Sequence, residues 1–336
     1  MSAERAGTFV VSLDFELHWG IHDKWSVGEY RRNLLGVREA IPGMLALFHE
    51  FDVHATWATV GLLCFETKRE LLDGLPSRRP SYTRPELSAY RLLDEIGDDE
   101  RRDPFHFGLS LVRRIAETPN QELGTHTFAH YYCLEAGQTL AEFREDLEAA
   151  RAVMRRKIGR TPVSIVFPRN QTSAAAVDVC AELGLSVYRG NPAGWAYQPR
   201  ADGEESPVRR AVRLADAYLP LTGTSSQSQP SGPVPVDVTA SRYLRPYSRS
   251  LHRLEPLRLR RITADLEYAA THGRMFHLWW HPHDFGAHVA ENLRVLRQIL
   301  ARFDALRARH GMTSLTMGEA AGRAAPEHAV PAEAVA

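Results

Sequence analysis

His126-Thr-Phe-Ala-His130 sets two imidazoles four residues apart, at the end of a short β-type run, Glu122 to His130, in which Gly124 is expected to open a turn. A second histidine-rich stretch, His277-Leu-Trp-Trp-His-Pro-His283, follows about 150 residues later. Near the start, Val10-Val-Ser-Leu-Asp-Phe-Glu16 reads as an apolar strand that ends acid-x-acid. Imidazole nitrogens together with a carboxylate oxygen suit zinc and its neighbours in the first transition row. Any one of these stretches is a weak signal, but three of them at the ends of expected strands point to a metal centre. On a strand, side chains at i and i+2 share a face, so Asp14 and Glu16 project together while Phe15 turns into packing. Two adjacent carboxylates would repel until one took up a proton. Beside a divalent cation, one can ligate while the other stays free as a base.

The elements that must position these groups alternate between β and α. Phe9 to Leu13, Val53 to Val60, Pro162 to Phe167, Leu185 to Tyr188, Met275 to Trp280 and Met312 to Met317 read as strands. Between them, Ile41 to Phe51 has apolar residues at helical spacing with Pro42 suited to a first turn. Thr139-Leu-Ala-Glu142 is a capping box opening a helix that carries Leu140, Phe143, Leu147 and Met154 on one face. Further helices are expected over Ser173 to Leu183, stopped by Gly184, and from about Val289 to Arg309. Such alternation calls for a parallel sheet. Asp14, Glu16, His126, His130, Arg169 and His281 all fall at the C-terminal ends of their strands, where parallel barrels assemble their sites. The fold class expected is therefore α/β, a barrel rather than an open sheet, in a single catalytic domain over residues 1–322. Charge- and proline-rich residues 66–121 read as an insertion with one or two helices. Residues 198–235 read as a second insertion, with a mobile loop at 222–233, and residues 323–336 as a disordered tail.

Lys plus Arg equals Asp plus Glu, 41 each, so the balance gives no argument for nucleic acid. With 44% hydrophobic and 24% charged residues, the chain has the composition of a soluble enzyme. Three scattered cysteines argue against a disulfide framework and fit a reducing compartment. Cys133, three residues past His130, is a candidate ligand but reads better as a buried thiol. With no signal segment or membrane span visible, the expected location is cytoplasmic.

The motifs carry a family resemblance. The chain resembles the polysaccharide deacetylases of the NodB-homology type, carbohydrate esterase family 4, over roughly residues 8 to 320. Ser12-Leu-Asp14 resembles the family's first motif, Thr-Phe-Asp-Asp, and His126-Thr-Phe-Ala-His130 matches its His-Ser/Thr-x-x-His motif in full. Ala55-Thr-Trp-Ala-Thr-Val60 is similar to the family's second-strand run. Phe167-Pro-Arg-Asn-Gln171 stands where an arginine motif belongs, and Leu278-Trp-Trp-His281 matches the last motif, Leu-x-x-His. The resemblance implies a distorted (β/α)7-8 barrel and metal-assisted removal of an acyl group from a sugar. It further implies a divalent cation, Zn2+ first with Co2+, Ni2+ or Fe2+ as alternatives, held by Glu16, His126 and His130. Metal-bound water would attack the amide carbonyl, with Asp14 as general base, His281 as general acid and Arg169 orienting Asp14.

Three departures from the family pattern stand out. Phe15 replaces the second aspartate, so ligation passes to Glu16, one strand step further on. The arginine motif lacks its proline, and Tyr188-Arg-Gly-Asn191 occupies the place of the acidic fourth motif. Candidate substrate contacts are Trp19, Asn170, Arg189, Trp195, Trp280 and His283. Trp279 and Trp280 must face opposite ways, so at most one lines the site. His277 and His283 read as structural rather than catalytic. Ser241-Arg-Tyr-Leu-Arg245 is either a solvated basic face or a binder of phosphate or carboxylate. The partner expected is an acylated amino sugar in a cytoplasmic precursor, short enough to sit in a pocket walled by residues 66–121 and 222–233. Two rivals are a hydrolase of another C–N bond, allantoinase- or imidase-like on the same fold, and a barrel that only binds carbohydrate. Nothing in the sequence sets the oligomeric state.

Overall fold

β1 (Thr8–Phe15) is buried along its whole length. Both of its faces must therefore be covered, which in a parallel sheet falls to crossover helices outside and side chains within. The computed structural model describes residues 6–323, so residues 324–336 of the expected tail lie outside the described residues. The remaining strands are β2 (Ala55–Thr59), β3 (Gln121–Thr125), β4 (Ser164–Ile165), β5 (Val187–Tyr188), β6 (Val236–Asp237), β7 (Arg242–Tyr243), β8 (Met275–Trp280) and β9 (Thr313–Leu315). Their order is β6-β5-β4-β3-β2-β1-β8-β7, every pairing is parallel, and β9 pairs with the first half of β1. One stretch of chain carries both β6, which pairs with β5, and β7, which pairs with β8. That stretch spans the gap between the two sheet ends and closes a distorted (β/α) barrel, as expected.

The barrel interior is a small apolar cluster that includes Val10, Ala58, Val166, Val187, Val236 and Met275. A short helix, Met317–Gly322, lies under the N-terminal ends of the strands. There Met317 N–H donates to Thr56 Oγ1 (2.8 Å) and Gly318 N–H to Glu122 Oε2 (3.0 Å). With that end closed, the opposite C-terminal end is free for a site.

Several local expectations need correcting. The helix over Ile41 to Phe51 in fact runs Val27–Glu50, opened by a Ser26/Glu29 capping box, so Pro42 sits in its interior. An interior proline costs ~3 kcal/mol. Full burial of Leu34, Val37, Met44 and Phe48 gains about 1.5–3 kcal/mol each, so packing wins. Gly124 does not open a turn but lies within β3, where an added Cβ would come 2.6 Å from Ser164 Oγ. β6 and β7, two residues each, were not foreseen, and neither was the helix Glu255–Thr271. The 222–233 stretch packs at the closed end, where Gln227 exchanges backbone hydrogen bonds with Met275 (2.7 and 2.9 Å), so it does not wall the site. Residues 66–121 do not line the site either. They brace the loop after β1: Trp19 Nε1 donates to His106 O (2.7 Å), and His18, His106 and Asp103 form a buried hydrogen-bonded chain (2.9 and 2.8 Å).

Candidate metal centre and its surroundings

β1 ends by delivering Asp14 and then Glu16 to the open end of the barrel, while Phe15 enters the core. The chain turns sharply at Leu17, whose φ is 47°. Gly20 then passes over the Glu16 carboxylate so closely that a Cβ there would lie 2.1 Å from Cδ. Among the described residues, seven non-glycine residues have positive φ, and five of them, Leu17, Thr127, His130, Arg169 and Asn170, lie on loops around this centre. Backbone strain of this kind collects where side-chain aim matters more than local comfort.

The loop after β3 carries the two imidazoles. His126 Nε2 and His130 Nε2 both face Glu16 Oε2, at 3.2 and 3.0 Å, and all three residues are buried. The loop between them is pinned by Asp146, which accepts from Phe128 N–H (2.6 Å) and Ala129 N–H (3.1 Å). His126 Nδ1 must donate to the Val166 carbonyl (2.8 Å), so in its neutral form Nε2 is a bare lone pair. Burial pushes His130 down to about 4, against the pull of Glu16, so its imidazole is neutral. Burial opposes the charge on Glu16, but the nearby charged His281 above all holds it well below the usual carboxylate range. Lone pairs aimed at a buried carboxylate oxygen repel it unless a cation lies among them. One carboxylate oxygen and two imidazole nitrogens, clustered in this way, form a donor set that fits a zinc-like ion.

Asp14 stands beside this group, tied elsewhere. Arg189, fully buried at the end of β5, donates to both of its oxygens at 2.7 Å. Arg189 is held in turn by Ser12 Oγ (3.1 Å), Asn170 Oδ1 (3.0 Å) and the Trp279 ring, 4.1 Å from its Cζ. Burial works against a charged Asp14, but the Arg189 guanidinium outweighs it and lowers its pKa. The expectation that Arg169 orients Asp14 is therefore corrected. Arg169 binds Asp23 and reaches Asp202 (3.1 Å), and Arg189 has the place beside Asp14. Arg189, expected as a substrate contact, is thus buried and bonded to Asp14.

His281, just past β8, turns Nε2 toward Asp14 (3.7 Å) and Glu16 (3.9 Å), and Asp284 fixes its Nδ1 at 3.0 Å. Burial would lower its pKa, but Glu16, Asp284 and Asp14 raise it to about 10. Asp284 also accepts from Tyr243 Oη (2.5 Å) and Tyr30 Oη (3.4 Å). His281, His283 and Asp284 form a second group with donors close together, but these bonds already occupy Asp284. His283 lies deep, 3.9 Å from Glu16 Oε1, and burial lowers its pKa. His277 is a structural histidine, bonded to Ser12 Oγ (2.8 Å) and Val238 O (3.0 Å).

The aromatic assignments change as well. Trp19 and Trp280 are fully buried in the core and do not line the cavities at the open end of the barrel. Trp279 is the one of the pair that faces the site, beside Tyr243. Trp195 is 54% exposed and does not line the cavity. The walls come from residues 191–217 and 240–245 instead. Asp284 and Tyr243 were missed. A hint of Asp284 was its i+3 spacing from His281 after Pro282, whereas nothing local marks Tyr243. Cys133 is a buried free thiol, outside both donor groups.

The sequence profile described as polysaccharide deacetylase matches residues 35–188. No curated protein matches the chain. Among solved structures, a Mycobacterium smegmatis protein named as a polysaccharide deacetylase superposes with a TM-score of 0.57 at 14% identity, covering 99% of this chain and 98% of that one. At such identity the likeness speaks to the fold alone. The chitin deacetylase of Colletotrichum lindemuthianum aligns at 12% identity and TM-score 0.47, covering 96% of this chain and 91% of its own. A carbohydrate esterase family 4 pseudoenzyme from Bacillus anthracis aligns at 11% and 0.45, covering 95% and 66%. These two likenesses are too weak to bear on function. Over residues 35–188 the chain is similar to the polysaccharide deacetylases, and its barrel is the fold of a solved structure that carries the same description.

Proposed function

We propose that the chain is a divalent-metal-dependent hydrolase that removes an N-acyl group from an amino sugar. The observation that carries this reading is the pair of buried imidazoles aimed with Glu16 at one point, with Asp14 and His281 beside them. Glu16, His126 and His130 would hold the ion, Zn2+ first by its preference for nitrogen with carboxylate oxygen. When bound, the ion polarises an acyl carbonyl and acidifies water. Asp14 takes the water's proton, and the Arg189 fork keeps it ionised and aimed. His281 donates from Nε2 to the leaving nitrogen, since Asp284 holds its Nδ1 and keeps the ring charged. Asn170, Trp279 and Tyr243 form the wall a sugar would meet. Three free cysteines suit a reducing compartment, where such a sugar would be a precursor.

The test is acetate release from N-acetylated sugars by the purified protein, with and without chelator. Activity that chelation abolishes and Zn2+ restores is expected. Metal bound at the site without release from any N- or O-acylated sugar would overturn the reading.

A further inference from the structure

A cavity of about 500 Å3 adjoins the metal centre, sharing Asn170, Tyr243, Trp279 and His281 with the pocket over Asp14 and Glu16. Seven lysine and arginine side chains line it against two carboxylates, Asp202 and Glu205. Overall the chain carries equal numbers of acidic and basic residues, so this excess is local. Lys24 (2.7 Å) and Arg169 (3.1 Å) share Asp202, and Arg213 takes Glu205 (3.1 Å). Arg242 is spent on Asp265 (3.1 Å). Arg200, Arg210 and Arg245 have no carboxylate within 4.0 Å among the described residues. Like charges gathered around one concave space repel, and the field they make favours an anion that neutralises them. A carboxylate fills one guanidinium fork, whereas three forks match the several oxygens of a phosphate or diphosphate. A neutral glycan gains nothing from them.

Resting on the deacylation proposed above, we propose that the amino sugar enters as a glycosyl phosphate or diphosphate, its anionic group held by Arg200, Arg210 and Arg245 while the acyl group reaches Asp14 and His281. The basic stretch Ser241 to Arg245 thereby gains a role through Arg245, while Arg242 serves the fold.

The zinc-loaded protein is assayed on N-acetylglucosamine, its 1-phosphate, a UDP-linked form, a farnesyl-diphosphate-linked form and neutral chito-oligosaccharides. Phosphorylated forms should exceed neutral ones in kcat/KM, and the nucleotide and lipid arms tell the two natural carriers apart. Arg200→Ser with Arg210→Ser, both at exposed positions, should lower kcat/KM for phosphorylated forms about tenfold or more and leave neutral sugars within about threefold. Equal rates for charged and neutral sugars, or equal loss on both, would overturn the proposal. Calorimetric binding of UDP and of inorganic diphosphate provides a readout independent of hydrolysis. Binding that the double variant loses supports the anion site even if no acyl group is released, and no binding of either ligand overturns it.

Discussion

At the scale of single residues, the site works through charges that hold one another. Asp14 stays ionised in the interior because Arg189 donates to both of its oxygens. Removing one partner of such a pair strands the other and costs about 3–5 kcal/mol. Arg189→Ala is expected to lower kcat about 10²-fold or more with metal content unchanged, and Arg189→Lys to recover little of it. Arg169→Ala should leave the Asp14-dependent limb of the pH profile in place, and a shift of that limb would return Arg169 to the orienting role. His281 gives a stability prediction. Its pKa rises from an ordinary 6.5 to about 10 on folding. The stabilisation is therefore complete below about 6.5 and is lost as pH climbs through about 10. In metal-free protein, urea midpoints of wild type and His281→Gln should converge across that window. A gap that widens with pH would contradict the assignment.

At the scale of elements, the loops after β1 and β3 do the positioning. Asp146 reaches from the helix Leu140–Ile158 to hold the backbone between His126 and His130. Asp146→Ala leaves two buried N–H groups unpaired, at about 1–3 kcal/mol each. Metal affinity should fall about 10- to 100-fold, as for loss of an outer support. Competition against a zinc chelator measures this, and unchanged affinity would show that the loop holds its shape without Asp146. Gly20→Ala should weaken metal binding as well, since its Cβ would displace the Glu16 carboxylate. Elements of this kind were legible where periodicity and caps were strong. Thr139-Leu-Ala-Glu142 opens its helix by the capping box the sequence displays, and Asp14 and Glu16 share a face because strand geometry requires it. β6 and β7 were not legible, because two-residue strands have no period and exist only through their pairing with β5 and β8. Arg189 was named for the wrong task for a related reason: its pairing with Asp14, 175 residues away, follows from barrel closure and not from local pattern.

At the scale of the whole molecule, barrel closure decides which of two neighbouring tryptophans works on the surface of the site and which fills the core. Trp280→Ala should cost about 3–5 kcal/mol of stability, whereas Trp279→Ala should raise KM and leave thermal stability largely intact. A cavity walled by residues 191–217 favours a short substrate. Rates that climb steadily along a chito-oligosaccharide series would indicate an open groove instead. The proposed metal ligands come from the ends of β1 and β3, 110 residues apart between Glu16 and His126, and meet only in the folded barrel. Zinc should therefore stabilise the fold by mass action. The central claim is that Glu16 ligates with His126 and His130 while Asp14 does not. The most direct test is bound zinc per chain after dialysis, compared between Glu16→Ala and Asp14→Ala. Metal lost in Glu16→Ala and kept in Asp14→Ala is the predicted result. Metal kept in Glu16→Ala and lost in Asp14→Ala would contradict the account.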